Sequence, residues 1–298
     1  MAATRDQTVK RILRWLSDTP WQDKLTALIA GASATSVTIN APGKWYEGDI
    51  LEIDDATGSL YLVDSQAADP SVNPLAVISG YLGTPDQGHS NGAKIRKNPR
   101  FPWYECSQAI DETIKGLFPS AWKVGTKTLT YVAGKKVYDL AADFEDLIAV
   151  AQVIGTSPSQ SILFYGSRGS GFPVAVRYHV PTSLAASGNA LEFTSWYNTS
   201  NIFVTYRSRY TAADLDAGNI DDASLLWEAI VMGSCYKLLA GEDAERTGDD
   251  TTQLPATDNE VASQLRDADW YRQRYIELLA RVSLQLKHDA QRPTGVFR

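Results

Sequence analysis

The chain is poor in the residues that build disulfide-bonded and metal-bound frameworks. Its 298 residues include two cysteines, Cys106 and Cys235, and three histidines. Two cysteines so far apart do not fit the disulfide network of a small secreted domain, and we predict that both are reduced and buried. No histidine has a second histidine or a cysteine at the spacing of a zinc site, so we expect no metal site.

Long apolar runs and an excess of basic residues are also missing. The apolar runs fall far short of the ~20 residues that a membrane-spanning helix needs. Charged residues interrupt the first fifteen positions, which argues against a signal peptide. The net charge is −7 and the pI is about 5.1. This balance argues against a general nucleic-acid binder and against anionic membranes, and we expect a cytoplasmic protein without a membrane partner.

Candidate catalytic residues occur only in weak patterns. Asp54-Asp55 is one of three Asp-Asp pairs, and other proteins use paired carboxylates for glycoside hydrolysis or divalent metals. Adjacent acids in loops usually face water, so we predict no catalytic, cofactor-binding or metal site. The glycine-rich segment 166–171 precedes a predicted strand, whereas a phosphate-binding loop precedes a helix. We interpret it as a hairpin tip whose Arg168 and Phe172 contact a partner or DNA.

Periodic apolar residues predict four helices, at about residues 5–18, 102–117, 222–241 and 258–288. The third helix has an apolar stripe broad enough for burial on more than one side, and Gly241 is predicted to end it. The fourth helix repeats apolar residues with a period of about seven. Its stripe consists of Leu265, Ala268, Tyr271, Tyr275, Leu278, Val282 and Leu286.

Two β-rich blocks separate these helices. In the first block, short strands are predicted at 36–40, 49–53, 60–63, 75–78 and 93–96. In the second block, a hairpin is predicted at 127–140, turning at Ala133-Gly134. Further strands follow at 147–154, 162–165, 174–180, 191–194 and 202–210. The close spacing of the strands predicts a small sandwich or barrel in each block.

Together these elements predict an α+β fold. It consists of a small bundle of about four helices, two β-rich insertions and an extended C-terminal arm. The predicted parts are a first helix and lead-in (1–32), a first β module (33–100), a second helix (101–122), a second β module (123–211), the third and fourth helices (212–288) and the arm (289–298).

Two parts of the chain are predicted to contact other proteins. Aromatic residues and arginine are enriched at interfaces, and the fourth helix combines both. The residues that we assign to a subunit interface are Trp270, Arg272, Arg274 and Arg281; a solvated charged helix face is an equal alternative. The arm contains a proline and ends in apolar residues, which favours docking in an extended form. Its candidate docking residues are Arg292, Pro293, Val296, Phe297 and Arg298.

Three stretches of the chain form a recognisable set. The first lies in the first β module and contains Gly80-Tyr-Leu-Gly-Thr84, His89 and Gly92-Ala-Lys-Ile95. The second is Phe101–Trp122, and the third is the closing helix pair, Leu225–Ala240 and Trp270–Lys287. Together with the order of helices, β blocks and arm, these stretches resemble the head-to-tail adaptor, or neck, proteins of tailed bacteriophages. Ser79 stands where that family often has arginine.

The resemblance implies a structural virion protein without enzymatic activity, located in the neck and assembled in the host cytoplasm. It implies a homo-oligomeric ring, commonly of twelve subunits, that binds the portal protein through the arm and leads to tail or tail-terminator (stopper) proteins. DNA would pass through the lumen without being read, and an acidic wall would keep it from sticking.

Two alternatives remain open. One is a different ring protein of the neck or tail, such as a tail terminator or a head-completion protein. The other is a carbohydrate-binding or hydrolytic virion protein, in which Asp54 and Asp55 would be the first acids to test.

Overall fold

The computed structural model describes residues 2–16, 23–31, 33–54, 58–64, 73–154, 157–165, 174–177, 183, 185–193, 201–249 and 258–291. Its helices are α1 (Arg5–Trp15), α2 (Trp103–Lys115), α3 (Ala212–Asp216), α4 (Leu225–Asp249) and α5 (Asp258–Gln291). The first strands are β1 (Asp23–Lys24), β2 (Ser36–Val37), β3 (Ile50–Ile53), β4 (Leu60–Val63), β5 (Leu75–Ile78) and β6 (Lys94–Lys97). The later strands are β7 (Lys123–Leu129), β8 (Val137–Asp139), β9 (Phe144–Ile154), β10 (Ser157–Tyr165), β11 (Val174–Arg177), β12 (Ala190–Phe193) and β13 (Ile202–Ser208).

The predicted α+β class is confirmed, and the chain divides into two compact units. Unit 1 comprises Met1–Ile114 and Ala212–Leu278, and unit 2 comprises Lys115–Thr211 and Leu279–Arg298. Unit 1 therefore contains a β module and most of the helical residues, whereas unit 2 contains the second β module.

The six-stranded sheet of unit 1 curls back on itself. Its strand order is β1-β6-β3-β4-β5-β2, and an isolated bridge between Leu25 and Ile39 joins its two ends. Backbone hydrogen bonds flank that bridge, from Thr26 N–H to Thr38 O at 2.9 Å and from Asn40 N–H to Lys24 O at 3.2 Å. Closing the sheet removes exposed edges and encloses a core. Strand β1 precedes residue 33, the predicted start of this module.

The core of this barrel-like module contains alternating apolar residues from its strands. Its buried members are Leu25, Ile29, Val37, Ile39, Trp45, Leu51, Ile53, Tyr61, Val63, Leu75, Val77 and Ile95. His89 is also buried here, at 3% exposure. Its Nε2 lies 2.8 Å from the Tyr61 hydroxyl, and its backbone pairs with Ile29. That pairing continues the β1–β6 ladder in the same register, so His89 belongs to the buried core beside these two strands.

The segment Gly80–Thr84 forms a tight turn after β5. Gly80 adopts φ +63° and Gly83 φ +72°, values that glycine adopts without strain. The Thr84 hydroxyl donates to Tyr81 O at 2.9 Å and accepts from Leu60 N–H at 3.0 Å. The turn is thus tied to β4, while its Leu82 side chain stays 65% exposed.

A buried ion pair fixes this module to helix α2. Arg96 and Glu52 have side-chain exposures of 1% and 0% and form a direct ion pair. Arg96 also donates to Phe101 O at 2.7 Å, and Glu52 Oε1 accepts from Trp103 N–H, the first helical amide, at 2.5 Å. Both charged side chains are buried away from water. A buried charge is costly unless an opposite charge and hydrogen bonds compensate it, and this pair supplies both.

The helices of unit 1 pack as a bundle around α4. Helix α1 begins at a capping box formed by Thr4 and Gln7. A Cβ on Gly233 of α4 would lie 2.6 Å from Thr113 Cγ2 of α2 and 2.9 Å from the Tyr275 ring of α5. Helix α4 is thus buried on two sides, as the breadth of its stripe predicted. The α5 stripe is also confirmed at Ala268, Tyr271, Leu278 and Val282, which are buried.

Unit 2 contains two sheets that share one core. The four-stranded sheet has the order β10-β9-β13-β7, and the three-stranded sheet has the order β11-β12-β8. Tyr138 and Leu191 of the smaller sheet cluster with Leu147, Val204 and Tyr206 of the larger one. The sheets therefore pack face to face, as predicted for a small sandwich.

Two local predictions are wrong. The segment 127–140 is not a hairpin, because β7 pairs with β13 and β8 pairs with β12. Ala133-Gly134 does form a turn, but the turn connects strands of different sheets. Helix α4 does not end at Gly241 but continues to Asp249. A single glycine costs a helix only about 1 kcal/mol, and the following Glu, Ala and Arg residues favour helix.

Candidate protein-interaction surface

Two tryptophans of unit 1 are held in place yet remain exposed. Trp15, the last residue of α1, is 40% exposed, and Trp270 of α5 is 49% exposed. Their ring centroids are 6.0 Å apart, and the Trp270 ring meets the Tyr271 ring edge-on at 4.9 Å. The Tyr271 hydroxyl donates to Trp15 O at 3.0 Å. Fixed, exposed tryptophan is typical of the energetically dominant residues at protein interfaces.

An arginine extends this aromatic surface along α1. The Arg11 guanidinium carbon lies 6.0 Å from the Trp15 ring and 5.9 Å from the Trp227 ring. Trp227 is itself oriented, because its Nε1–H donates to the Thr8 hydroxyl at 2.9 Å. Cation–π contacts of this kind hold the arginine against the rings while leaving it accessible to a partner.

The two tryptophans border a groove of ≈ 300 Å³. Its lining residues are Trp15, Glu228, Met232, Trp270, Gln273, Arg274 and Glu277. Arg274 lies 3.2 Å from Glu228 Oε1 and 3.3 Å from Glu277 Oε2. One cation faces two carboxylates, so the charged residues of the lining carry net negative charge beside the tryptophan rings.

Buried groups below the surface are held in their neutral forms. Burial, followed by the nearby Cys235 and Asp267, raises the pKa of Tyr271 to about 12. Burial likewise raises the pKa of the Cys235 thiol to about 12. A thiol with such a pKa is not a nucleophile near neutral pH. Both cysteines are buried thiols outside any disulfide, as predicted.

Only some of the residues that the sequence assigned to interfaces lie in the groove. Trp270 and Arg274 lie together in the groove. Arg272 is exposed, but it lies two residues after Trp270. Because this spacing rotates it about 200° around the helix, it is on a different face from the groove. Arg281 is exposed and belongs to unit 2. The predicted loop-tip residues Arg168 and Phe172 lie outside the described residues. The same holds for the predicted arm residues Arg292, Pro293, Val296, Phe297 and Arg298.

Sequence reasoning missed Trp15 and Glu228. They come from α1 and α4, far from Trp270 in sequence, and no local pattern indicates that these helices meet α5 here. The only available signal was an aromatic residue at the end of a short amphipathic helix.

Asp54, a candidate acid for hydrolysis, instead lies in a structural contact. Its carboxylate is 3.5 Å from Lys10 Nζ, which also binds Asp6 at 3.0 Å. Asp55 lies outside the described residues. Within the described ranges, no group of three or more histidine, cysteine or acidic residues is arranged to hold a metal ion.

The two units differ strongly in net charge, although the whole chain carries only −7. Unit 1 has 15 Lys and Arg against 29 Asp and Glu, a net charge of −14. Unit 2 has 13 Lys and Arg against 6 Asp and Glu, a net charge of +7. The acidic character read from the composition therefore belongs to unit 1 alone.

Comparisons with known proteins give no relative for this arrangement. No family model, no curated protein and no solved structure matches the chain. Among the described helices, none combines the length and the apolar character that crossing a bilayer requires.

Proposed function

We propose that this protein is a structural virion component, a head-to-tail adaptor of a tailed bacteriophage. It forms a homo-oligomeric ring under the portal, joins the capsid to tail or tail-terminator proteins and lets DNA pass through the lumen. The observation that carries the proposal is the Trp15–Trp270 groove, a fixed and exposed aromatic surface beside charged residues, which fits a protein partner.

The fold supports this proposal in a second way. The chain runs through helix, β module, helix, β module and a closing helix pair, which is the order that resembles the adaptor family. The buried Arg96–Glu52 pair and the Trp103 amide hold the first module on α2. A ring component needs such rigid attachment, because its contact surfaces must repeat in fixed relative positions from copy to copy.

Capture by the purified portal of the same virus tests the proposal. We expect the full chain to bind portal and a chain without residues 289–298 to lose portal binding while its core stays folded. Circular dichroism and urea unfolding of both chains provide the folding control. Capture by tail tube in place of portal would assign the protein to the tail-terminator class, and no capture by either would contradict a role in the neck.

A further inference from the structure

A projecting loop of unit 2 has a chemistry opposite to that of the groove. The loop comprises residues 131–136, between β7 and β8. Val132 is 49% exposed, and Lys135 and Lys136 are exposed. Residues 130–138 contain no acid. Asp139 follows, and its carboxylate accepts hydrogen bonds from Ser187, while Lys135 Nζ lies 5.2 Å from the Tyr138 ring. An apolar side chain and two cations therefore reach solvent from one short segment.

The loop is braced by its neighbours. The Tyr138 hydroxyl lies 3.1 Å from Val132 N, from which it accepts, and 3.3 Å from Val132 O, to which it donates. Lys135 N–H closes the turn on Val132 O at 3.1 Å, and Tyr131 N–H donates to Asn201 Oδ1 at 3.0 Å. Gly134 supplies the required φ of +77°. A segment that is already ordered loses little conformational freedom on binding.

The groove of unit 1 offers the complementary surface. Its tryptophan rings offer contact to an apolar side chain, and among the lining residues two carboxylates exceed the single charge of Arg274. Exposed Asp267 lies three residues before Trp270, near the same helix face, and adds negative charge beside the groove. The net charges of the two units, −14 and +7, have the same signs as the groove and the loop. Because one chain carries both surfaces, charge complementarity favours a second copy as the partner.

We propose that the 131–136 loop of one copy docks in the Trp15–Trp270 groove of a second copy. Val132 lies against the tryptophan rings, and Lys135 and Lys136 face Glu228 and Glu277. The contact is heterologous, since it joins two different patches, and it repeats from copy to copy until the ring closes. This inference rests on the proposed ring and names one of its contacts.

Paired charge reversals in the full chain test the contact. The groove variant is Glu228→Lys with Glu277→Lys, and the loop variant is Lys135→Glu with Lys136→Glu. The control is Lys115→Glu with Lys287→Glu, which reverses two exposed lysines of unit 2 outside the loop. Sedimentation velocity at low and high salt measures self-association, and urea unfolding shows that each variant is folded.

We expect the wild type and the control to self-associate at low salt and to dissociate as salt rises. Each loop or groove variant alone should associate at least about tenfold more weakly, because like charges then face each other. A mixture of the two variants should associate again, since the groove of each then matches the loop of the other. Monomeric wild type at low salt, unaffected variants or a mixture that stays dissociated would overturn the proposal.

Two further measurements separate this contact from other roles. If the loop variant loses binding to duplex DNA while its self-association is unchanged, the loop belongs to a nucleic-acid surface and the inference is wrong. Portal capture of the same variants distinguishes the two proposals. If portal still captures the protein but self-association does not depend on these charges, only the proposed loop–groove contact is wrong. If self-association depends on salt but portal does not capture the protein, the adaptor role is wrong.

Discussion

The two β modules place their arginines differently. In unit 1, Arg96 is fully buried and paired with Glu52 between the sheet and α2. In unit 2, the Arg209 side chain is exposed and the Arg207 side chain is half-buried. Their guanidinium carbons lie 5.0 and 4.9 Å from the Phe118 and Trp122 rings. The first arrangement fixes a module in position, because neither charge can exchange its partner for water. The second leaves cations accessible, which suits a unit that presents positive charge.

Removing the buried pair should give the largest effect. We expect Arg96→Leu or Glu52→Leu to lower the free energy of unfolding by about 3–5 kcal/mol, because each leaves an uncompensated buried charge. The matched control in unit 2 is Arg209→Leu, which breaks an exposed pair with Glu145 and should cost about 0–1 kcal/mol. Urea unfolding measures both values. If the unit 1 and unit 2 variants lose the same free energy of unfolding, the buried pair does not stabilise the protein more than the exposed pair.

Tight glycine positions test the packing inside each unit. Gly233→Ala in unit 1 places a methyl group against Thr113 and Tyr275, and Gly125→Ala in unit 2 places one against the Tyr206 ring. Overpacking costs about 1–3 kcal/mol, which exceeds the gain of about 1 kcal/mol from alanine in a helix. Both variants should therefore unfold at lower urea concentrations.

Gly43→Ala is the control for these variants, since nothing lies within 4 Å of its added Cβ. If it destabilises the protein as much as Gly233→Ala, the cost does not come from close packing.

High pH should weaken both units through one tyrosine each. Burial first, and then the hydrogen bond to Asp143, raises the pKa of Tyr206 to about 12, and the pKa of Tyr271 is raised to a similar value. The unfolded state loses these protons near pH 10, whereas the folded state retains them to about 12. The stabilisation is complete below pH 10 and is lost between pH 10 and 12.

We expect each tyrosine to account for about 1 kcal/mol of the stability lost between about pH 9 and about pH 11. Urea unfolding at both pH values measures this loss. Tyr206→Phe and Tyr271→Phe should each reduce it. If wild type and variants lose the same stability between these pH values, groups other than these two tyrosines cause the loss at high pH.

Surface ion pairs should matter least for stability. Arg274→Ala breaks two partly exposed pairs in the groove, and Arg207→Ala breaks one with Asp146 in unit 2. We expect each to change the free energy of unfolding by less than about 1 kcal/mol. A larger loss for Arg274→Ala would show that this residue supports the bundle and does not serve mainly as part of the groove.

The sequence predicted elements better than it predicted contacts. Apolar periodicity located α1, α2, α4 and α5 and most of the strands, because burial of one face is a local property of the sequence. Strand pairing failed at Ala133-Gly134, since a turn motif indicates a reversal of the chain but not which strand becomes the neighbour. The first strand, β1, was also missed. It has only two residues, too few for a periodic pattern, and it is a strand because it pairs with the distant β6.

The candidate surface was only half predictable for the same reason. Trp270 and Arg274 share one helix, so their spacing indicates a common face. Trp15 and Glu228 reach that face only through the packing of α1 and α4 against α5. The division of charge also depends on the fold, because unit 1 is assembled from two separate stretches of the chain.

Mass measurement of the protein with purified portal of the same virus tests the central claim most directly. We expect full-length protein and portal to form a complex of fixed mass in which several copies of this chain bind one portal ring. If the mixture gives only free portal and free protein, the protein is not a head-to-tail adaptor.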